Sequence, residues 1–101
     1  MSYELRFHEL ALQEWKKLNP TLQQQFKKKL EERLANPRVP SAKLRKMENC
    51  YKIKLRRPGF RLIYRVEDEV LFVSVITMGK RERSAVDKKA EERLSVTFRF
   101  I

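Results

Sequence analysis

Two runs of alternating residues, Tyr51-Lys-Ile-Lys-Leu-Arg56 and Phe60-Arg-Leu-Ile-Tyr-Arg-Val66, stand either side of Arg57-Pro58-Gly59. Alternation at period two marks a half-buried strand. Pro presets φ for a turn and Gly takes positive φ without steric cost. The segment therefore predicts two neighbouring strands joined by a tight turn. Tyr51, Ile53 and Leu55 take one face with Leu62, Tyr64 and Val66, while Lys52, Lys54, Arg56, Arg61 and Arg65 take the other with Ile63. Like charges opposite one another destabilise a strand pair. A run of charge is ordinarily a solvated face, but an ordinary surface mixes signs, and no acidic residue lies between Lys52 and Val66. That favours an anionic partner for this face.

The rest of the chain can be arranged around this pair. Tyr3, Leu5 and Phe7 alternate with Glu4 and Arg6, which predicts a short strand over 3–7 with one buried face. Ala11, Trp15 and Leu18 fall at helical spacing within a helix from His8 to Leu18. Asn19-Pro20 then supplies an N-cap and a first-turn proline. Leu22, Phe26, Leu30 and Leu34 form a narrow apolar stripe on a second helix ending near Asn36-Pro37. Residues 37–49 read as a basic loop with Arg38, Lys43, Arg45 and Lys46. Val70 to Ile76 is apolar on both faces, which predicts a central strand ended by Gly79. Ser84 is a candidate cap for a last helix over Ala85 to Leu94. The order β-α-α-β-β-β-α predicts an α+β fold: a twisted antiparallel sheet of about four strands, with helices mostly on one face. One domain spans 1–94. The tail 95–101 alternates, and strand, partner contact and disorder all remain open for it.

Composition narrows the partner. Lys and Arg number 24 against 13 Asp and Glu, for a formal charge of +11. Self-repulsion of that size destabilises a compact state, and a polyanion relieves it. Nucleic acid is the commonest polyanion, so an RNA-binding face is expected. Cys50 and His8 are each the sole residue of their type, which excludes an internal disulfide and a cysteine metal cage. A lone His at a strand–helix junction reads as structural. No bound metal or cofactor is expected. The N-terminus has no signal-peptide pattern and no apolar run is long enough for a bilayer; a cytoplasmic protein with no membrane partner is expected.

Catalysis by such a face is a demanding proposition. RNA self-cleavage needs a base for the 2′-OH proton, charge to stabilise the phosphorane, and an acid for the 5′-oxygen. With no His pair and no carboxylate in the basic run, lysine would have to serve. At a reference pKa near 10.4, about 0.04% of lysine is neutral at pH 7. Bringing it near neutrality needs about 4 kcal/mol of differential interaction. Neighbouring cations act in that direction but rarely so strongly. Cleavage in free solution should be poor, and an RNA held in a fixed, distorted geometry would gain most.

Cys50-Tyr-Lys-Ile-Lys-Leu-Arg56, Gly59-Phe-Arg-Leu-Ile-Tyr64 and Gly79-Lys-Arg-Glu-Arg-Ser84 together resemble the RelE toxins of bacterial type II toxin–antitoxin modules. The likeness extends to Ala11-Leu12, Glu14-Trp15 and Lys43-Leu44-Arg45, and covers most of 1–94. It implies a fold similar to small microbial ribonucleases without their usual acid–base residues. It also implies an endoribonuclease that cuts messenger RNA in the ribosomal A site. Lys52 and Lys54 would sit by the attacking 2′-OH, with Lys54 favoured as base. Arg61 would stabilise the phosphorane, and Arg81 would protonate or neutralise the leaving oxygen. Lys43, Arg45, Arg56, Arg65, Lys80 and Arg83 would hold RNA. The implied partners are a RelB-like antitoxin, the ribosome and messenger RNA, with operator DNA reached only through the antitoxin. One position departs: RelE toxins usually carry tyrosine six residues after the arginine of Gly-Lys-Arg, and here it is Asp87. A carboxylate there cannot stack on a base and would repel phosphate. It would instead pair with Arg61 or Arg81, which leaves a weak or inactive nuclease acting in an autoregulatory antitoxin complex as the alternative.

Overall fold

The computed structural model describes residues 2–55, 59–80 and 85–95. Chain order is β1 (Glu4–Phe7), α1 (Glu9–Lys17), α2 (Pro20–Ala35), a short 3-10 turn (Pro40–Ala42), β2 (Cys50–Leu55), β3 (Phe60–Glu67), β4 (Phe72–Lys80) and α3 (Ala85–Leu94). The strands form one sheet in the order β1-β4-β3-β2. The α+β architecture is the expected one. Pairing is antiparallel from β2 through β3 to β4, but β1 joins β4 in parallel, with Glu4 opposite Phe72 and Phe7 opposite Val75. An antiparallel sheet throughout was the wrong expectation for that edge. The helical pair and two strands lie between β1 and β4, a connection long enough for a parallel return. Leu5, expected on a buried face, is 38% exposed at this edge.

Local chemistry accounts for the helix starts. His8 Nδ1 accepts the Leu10 N–H at 3.0 Å, capping α1. Burial, then the Arg93 charge, push its pKa below the ordinary histidine value, which favours the neutral ring that such a cap needs. Asn19 Oδ1 accepts from Leu22 N at 2.9 Å, with Pro20 opening α2. Gly59 takes φ 91° in the hairpin turn, as the turn requires. The Arg57-Pro58 part of that turn, the Ser84 cap and tail residues 96–101 lie outside the described residues.

Two further differences concern β4. Val70 and Leu71 belong to the turn before it, Leu71 with φ 56°. Gly79 does not end the strand: it pairs with Arg61, and Lys80 still pairs with Phe60. A glycine weakens a strand but leaves the ladder intact where the partner backbone continues. Between the Ile63–Thr77 and Tyr64–Val75 pairs, Ile76 is the extra residue of a bulge.

Apolar residues divide between the two sides of the sheet. Phe26, Leu30, Ile53, Leu62, Tyr64, Val73 and Val75 lie in one cluster with the α1–α2 pair. Leu44, Met47, Cys50, Ile63, Ile76, Val86 and Ala90 form a smaller one under α3. Helices thus cover both faces rather than mostly one. Burial pushes the Cys50 thiol up to about 11, so it acts as a core residue and not a nucleophile. Several cations of the basic loop and helix are used internally. Arg33 donates to the Tyr64 hydroxyl at 2.8 Å, and Arg38 reaches Asn49, Tyr51 and Asp68.

Candidate nucleic-acid interface

Sheet order decides which cations meet. Lys54 lies opposite Arg61 across β2–β3, and Arg61 lies opposite Gly79 across β3–β4. One row therefore carries Lys54 and Arg61 to the place where β4 leads toward α3. Lys54 is exposed, Lys52 is partly buried opposite Ile63, and the Arg61 side chain is 17% exposed. Lys80 parts from this group, because its cross-strand partner Phe60 packs against the α1–α2 side. Arg65 lies further along β3, opposite Cys50 and Ser74. Arg56, Arg81 and Arg83 lie outside the described residues.

Lys43, Arg45 and Lys46 are exposed on the loop before β2, which Leu44 and Met47 pin into the smaller cluster. Lys43 bridges to Tyr51, and Leu44 N donates to Cys50 O at 2.9 Å. Between this loop and α3 runs an open groove of about 330 Å³, lined by Arg45, Lys46, Asp87, Lys88 and Glu91 among others. It carries both signs of charge.

The face is not free of acids, although the run Lys52–Val66 is. Asp87 Oδ1 accepts from Arg61 Nη1 at 2.7 Å. That is one of the two pairings the carboxylate was expected to make. Glu67 accepts from Arg65 at 3.1 Å, from the Ser74 hydroxyl at 2.6 Å and from Arg6. Burial pushes the Glu67 carboxyl up, but the Ser74 and Arg6 hydrogen bonds and the Arg65 and Arg6 charges outweigh it, holding it below its ordinary value. The carboxylate on Arg61 was thus expected, and the one on Arg65 was not.

A second carboxylate went unnoticed in the sequence. Glu14 on α1 accepts from Thr77 Oγ1 at 3.1 Å, Lys89 Nζ at 2.7 Å and Arg93 at 2.7 and 3.0 Å. Its signal was present: Glu14 lies on the inward stripe of Ala11, Trp15 and Leu18, where a charge needs a partner. Among the described residues no group of three or more His, Cys, Asp or Glu is placed to hold a metal ion. Nor is any described helix long and apolar enough to cross a membrane.

Residues 5–85 match the family model of the ParE toxin of the type II toxin–antitoxin system parDE. The chain is 54% identical over 94 residues to the mRNA interferase toxin RelE of Escherichia coli strain K12, covering 93% of this chain and 99% of that one. A solved structure of an arginine-to-alanine double variant of E. coli RelE in the free state superposes with a TM-score of 0.86 at 52% identity, over 93% of this chain and 99% of the other. The toxin chain of the intact E. coli RelBE toxin–antitoxin complex gives 0.78 at 55% identity, over 81% and 100%.

Proposed function

The chain belongs to the RelE/ParE family of type II toxins, and from that premise we propose that it is a toxin that cleaves messenger RNA on the ribosome. The carrying observation is the cross-strand row that sets Lys54 opposite Arg61 and Arg61 opposite Gly79 near the end of β4. In the proposed reaction the ribose 2′-oxygen attacks phosphorus and the P–O5′ bond breaks. Lys54 takes the 2′-OH proton with Lys52 beside it, Arg61 stabilises the phosphorane, and Arg81 protonates or neutralises the departing 5′-oxygen. The products are a 2′,3′-cyclic phosphate and a 5′-hydroxyl. Lys43, Arg45, Arg56, Arg65, Lys80 and Arg83 are assigned to holding RNA.

The assigned groups are lysines and arginines, weak proton-transfer groups near neutral pH, so the ribosome would supply the positioning that free RNA lacks. The proposed site of action is accordingly the cytoplasm. The proposed inhibitor is a RelB-like antitoxin, because the E. coli relative was solved with one. Its toxin-binding segment would be acidic and would cover the basic face or displace α3. Operator DNA would be met only through that antitoxin.

Induced expression followed by primer extension on translated messages tests the reading. Growth arrest with cuts inside coding regions is expected, and Arg81→Ala should lose both. A wild-type chain that neither arrests growth nor cuts would overturn it.

The Asp87–Arg61 contact favours a second reading, in which cleavage is throttled and the complex with antitoxin is the main product. RNA phosphate must then displace a carboxylate from Arg61. Asp87→Tyr should raise ribosome-dependent cleavage several-fold, and an unchanged rate would show that Asp87 is not the limiting feature.

A further inference from the structure

The outer edge of β4 is paired along only part of its length. Its parallel partner β1 runs out at Phe7 opposite Val75, and His8 N donates the last such bond, to Val75 O at 2.8 Å. Beyond that point, among the described residues, the edge from Ile76 to Lys80 has no pairing strand on that side, and such an edge has to be covered. Side chains take over the role of a strand. Glu14 Oε1 accepts from Met78 N at 3.4 Å and from the Thr77 hydroxyl, while Arg93 Nη1 donates to Ile76 O at 2.9 Å.

Arg93 also grips Glu14 with both ends of its guanidinium fork, Nη1 to Oε1 and Nη2 to Oε2. Bidentate pairs of this kind combine strength with a fixed geometry. Lys89, one turn earlier on α3, adds a second donor to Oε2. The Arg93 side chain is 12% exposed. Burial pushes the Glu14 carboxyl up, but the Arg93 and Lys89 hydrogen bonds and charges more than reverse this, leaving it below its ordinary value.

These contacts add to a small apolar seam, in which Leu94 is partly buried against the cluster of Leu44, Met47, Cys50, Ile63 and Ile76. The buried residues of α3 are Val86 and Ala90. Gly79 does not lock the helix, since a Cβ there would meet Val86 Cγ2 at an ordinary 3.5 Å. The helix is also held on two flanks, by Asp87 on Arg61 toward β3 and by Lys89 and Arg93 on Glu14 at the edge of β4. Rotation or lift of α3 about its small apolar seam would disturb both flanks together.

We propose that Glu14 is a positioning residue for the candidate site: by clamping Lys89 and Arg93 over the unpaired edge of β4, it sets α3 so that Asp87 engages Arg61. The importance of Arg61 to cleavage rests on the function proposed above, but the clamp itself is a statement about two carboxylate–guanidinium contacts on opposite sides of one helix. Among the described residues Glu14 contacts Thr77, Met78, Lys89 and Arg93, and it acts on Arg61 through α3.

The test reads Arg61 directly in the free protein, without RNA. Chains with 15N-labelled arginine are compared as wild type, Glu14→Gln, Asp87→Asn and the double variant, with the Arg61 Nε–H resonance assigned from Arg61→Lys. Glu14→Gln should move the Arg61 resonance most of the way toward its position in Asp87→Asn, and the double variant should coincide with Asp87→Asn. A folded Glu14→Gln chain whose Arg61 resonance stays at the wild-type position overturns the proposal. If Glu14→Gln does not fold, Lys89→Gln removes one clamp donor from a side chain 39% exposed. It should shift the same resonance partway in the same direction, and a folded Lys89→Gln chain with no shift is equally contrary. Failure of the clamp leaves the wild-type cleavage assay untouched, so the two readings fail separately.

Discussion

On the α1–α2 side of the sheet, Phe26, Leu30, Ile53, Leu62 and Tyr64 interlock in a broad apolar layer. On the α3 side, Val86 and Ala90 rest on Ile63, Ile76 and Cys50, and charged contacts at Glu14 and Asp87 flank them. The first side is held by a broad buried layer, and the second by a smaller one flanked by ion pairs. Burial is non-directional and tolerant of small shifts, whereas a bidentate ion pair fixes an orientation. The candidate chemistry sits on the second side. On the proposed function, RNA would have to displace the carboxylate that Arg61 holds.

Substitutions should separate the two sides. Phe26→Ala should have the largest effect, about 3–5 kcal/mol lost in urea unfolding, because its ring is fully buried in the larger cluster. A loss below 1 kcal/mol would mean that this side is not the stabilising one. Glu14→Gln should cost less, about 1.5–3 kcal/mol, the range for hydrogen bonds to a charged group. Val86→Ala should cost about 1.5 kcal/mol for two buried methyl-sized groups, and a loss equal to that of Phe26→Ala would erase the contrast.

Acid should act in two stages, at His8 below neutrality and at the paired carboxylates lower still. Glu14 and Glu67 are held below their ordinary carboxyl values in the folded chain. Their stabilisation is present above the unfolded value and is lost as pH falls through the folded one. His8 is also depressed, so its neutral cap is favoured above the ordinary histidine value and opposed as pH falls below it. Urea midpoints should therefore decline from near neutrality downward and more steeply in the carboxylate range. Glu14→Gln should flatten the second part, and an unchanged acid limb would contradict the assignment.

Local signals explain what was legible in the sequence. Asn19-Pro20, the turn glycine Gly59, the alternation on either side of it, and the last helix over Ala85–Leu94 all reflect preferences within a few residues, and they survive in the fold. Non-local facts were not legible. The parallel placing of β1 depends on which strand end the helical pair returns to. The length of β4 past Gly79 depends on a partner strand being there, and the Ile76 bulge depends on register. The same holds for the site. The sharing of a face by Lys54 and Arg61 follows from alternation. The pairing of Glu67 with Arg65, two residues apart on β3, is also within reach of alternation. The arrival of Asp87 on Arg61, one of its two expected pairings, required α3 and the sheet to be assembled. Glu14 could have been found as a charge on an apolar helical stripe, but its partners lie far along the chain.

The most direct measurement is single-turnover cleavage of messenger RNA on programmed ribosomes by purified wild type, Arg61→Ala and Asp87→Tyr. Wild type should cut within the A-site codon, and Arg61→Ala should lose about 10²–10³-fold, as when one transition-state donor is removed. Asp87→Tyr should cut several-fold faster than wild type. If the wild type fails to cut, or Arg61→Ala cuts at the wild-type rate, the basic face with Arg61 at its centre is not the catalytic one.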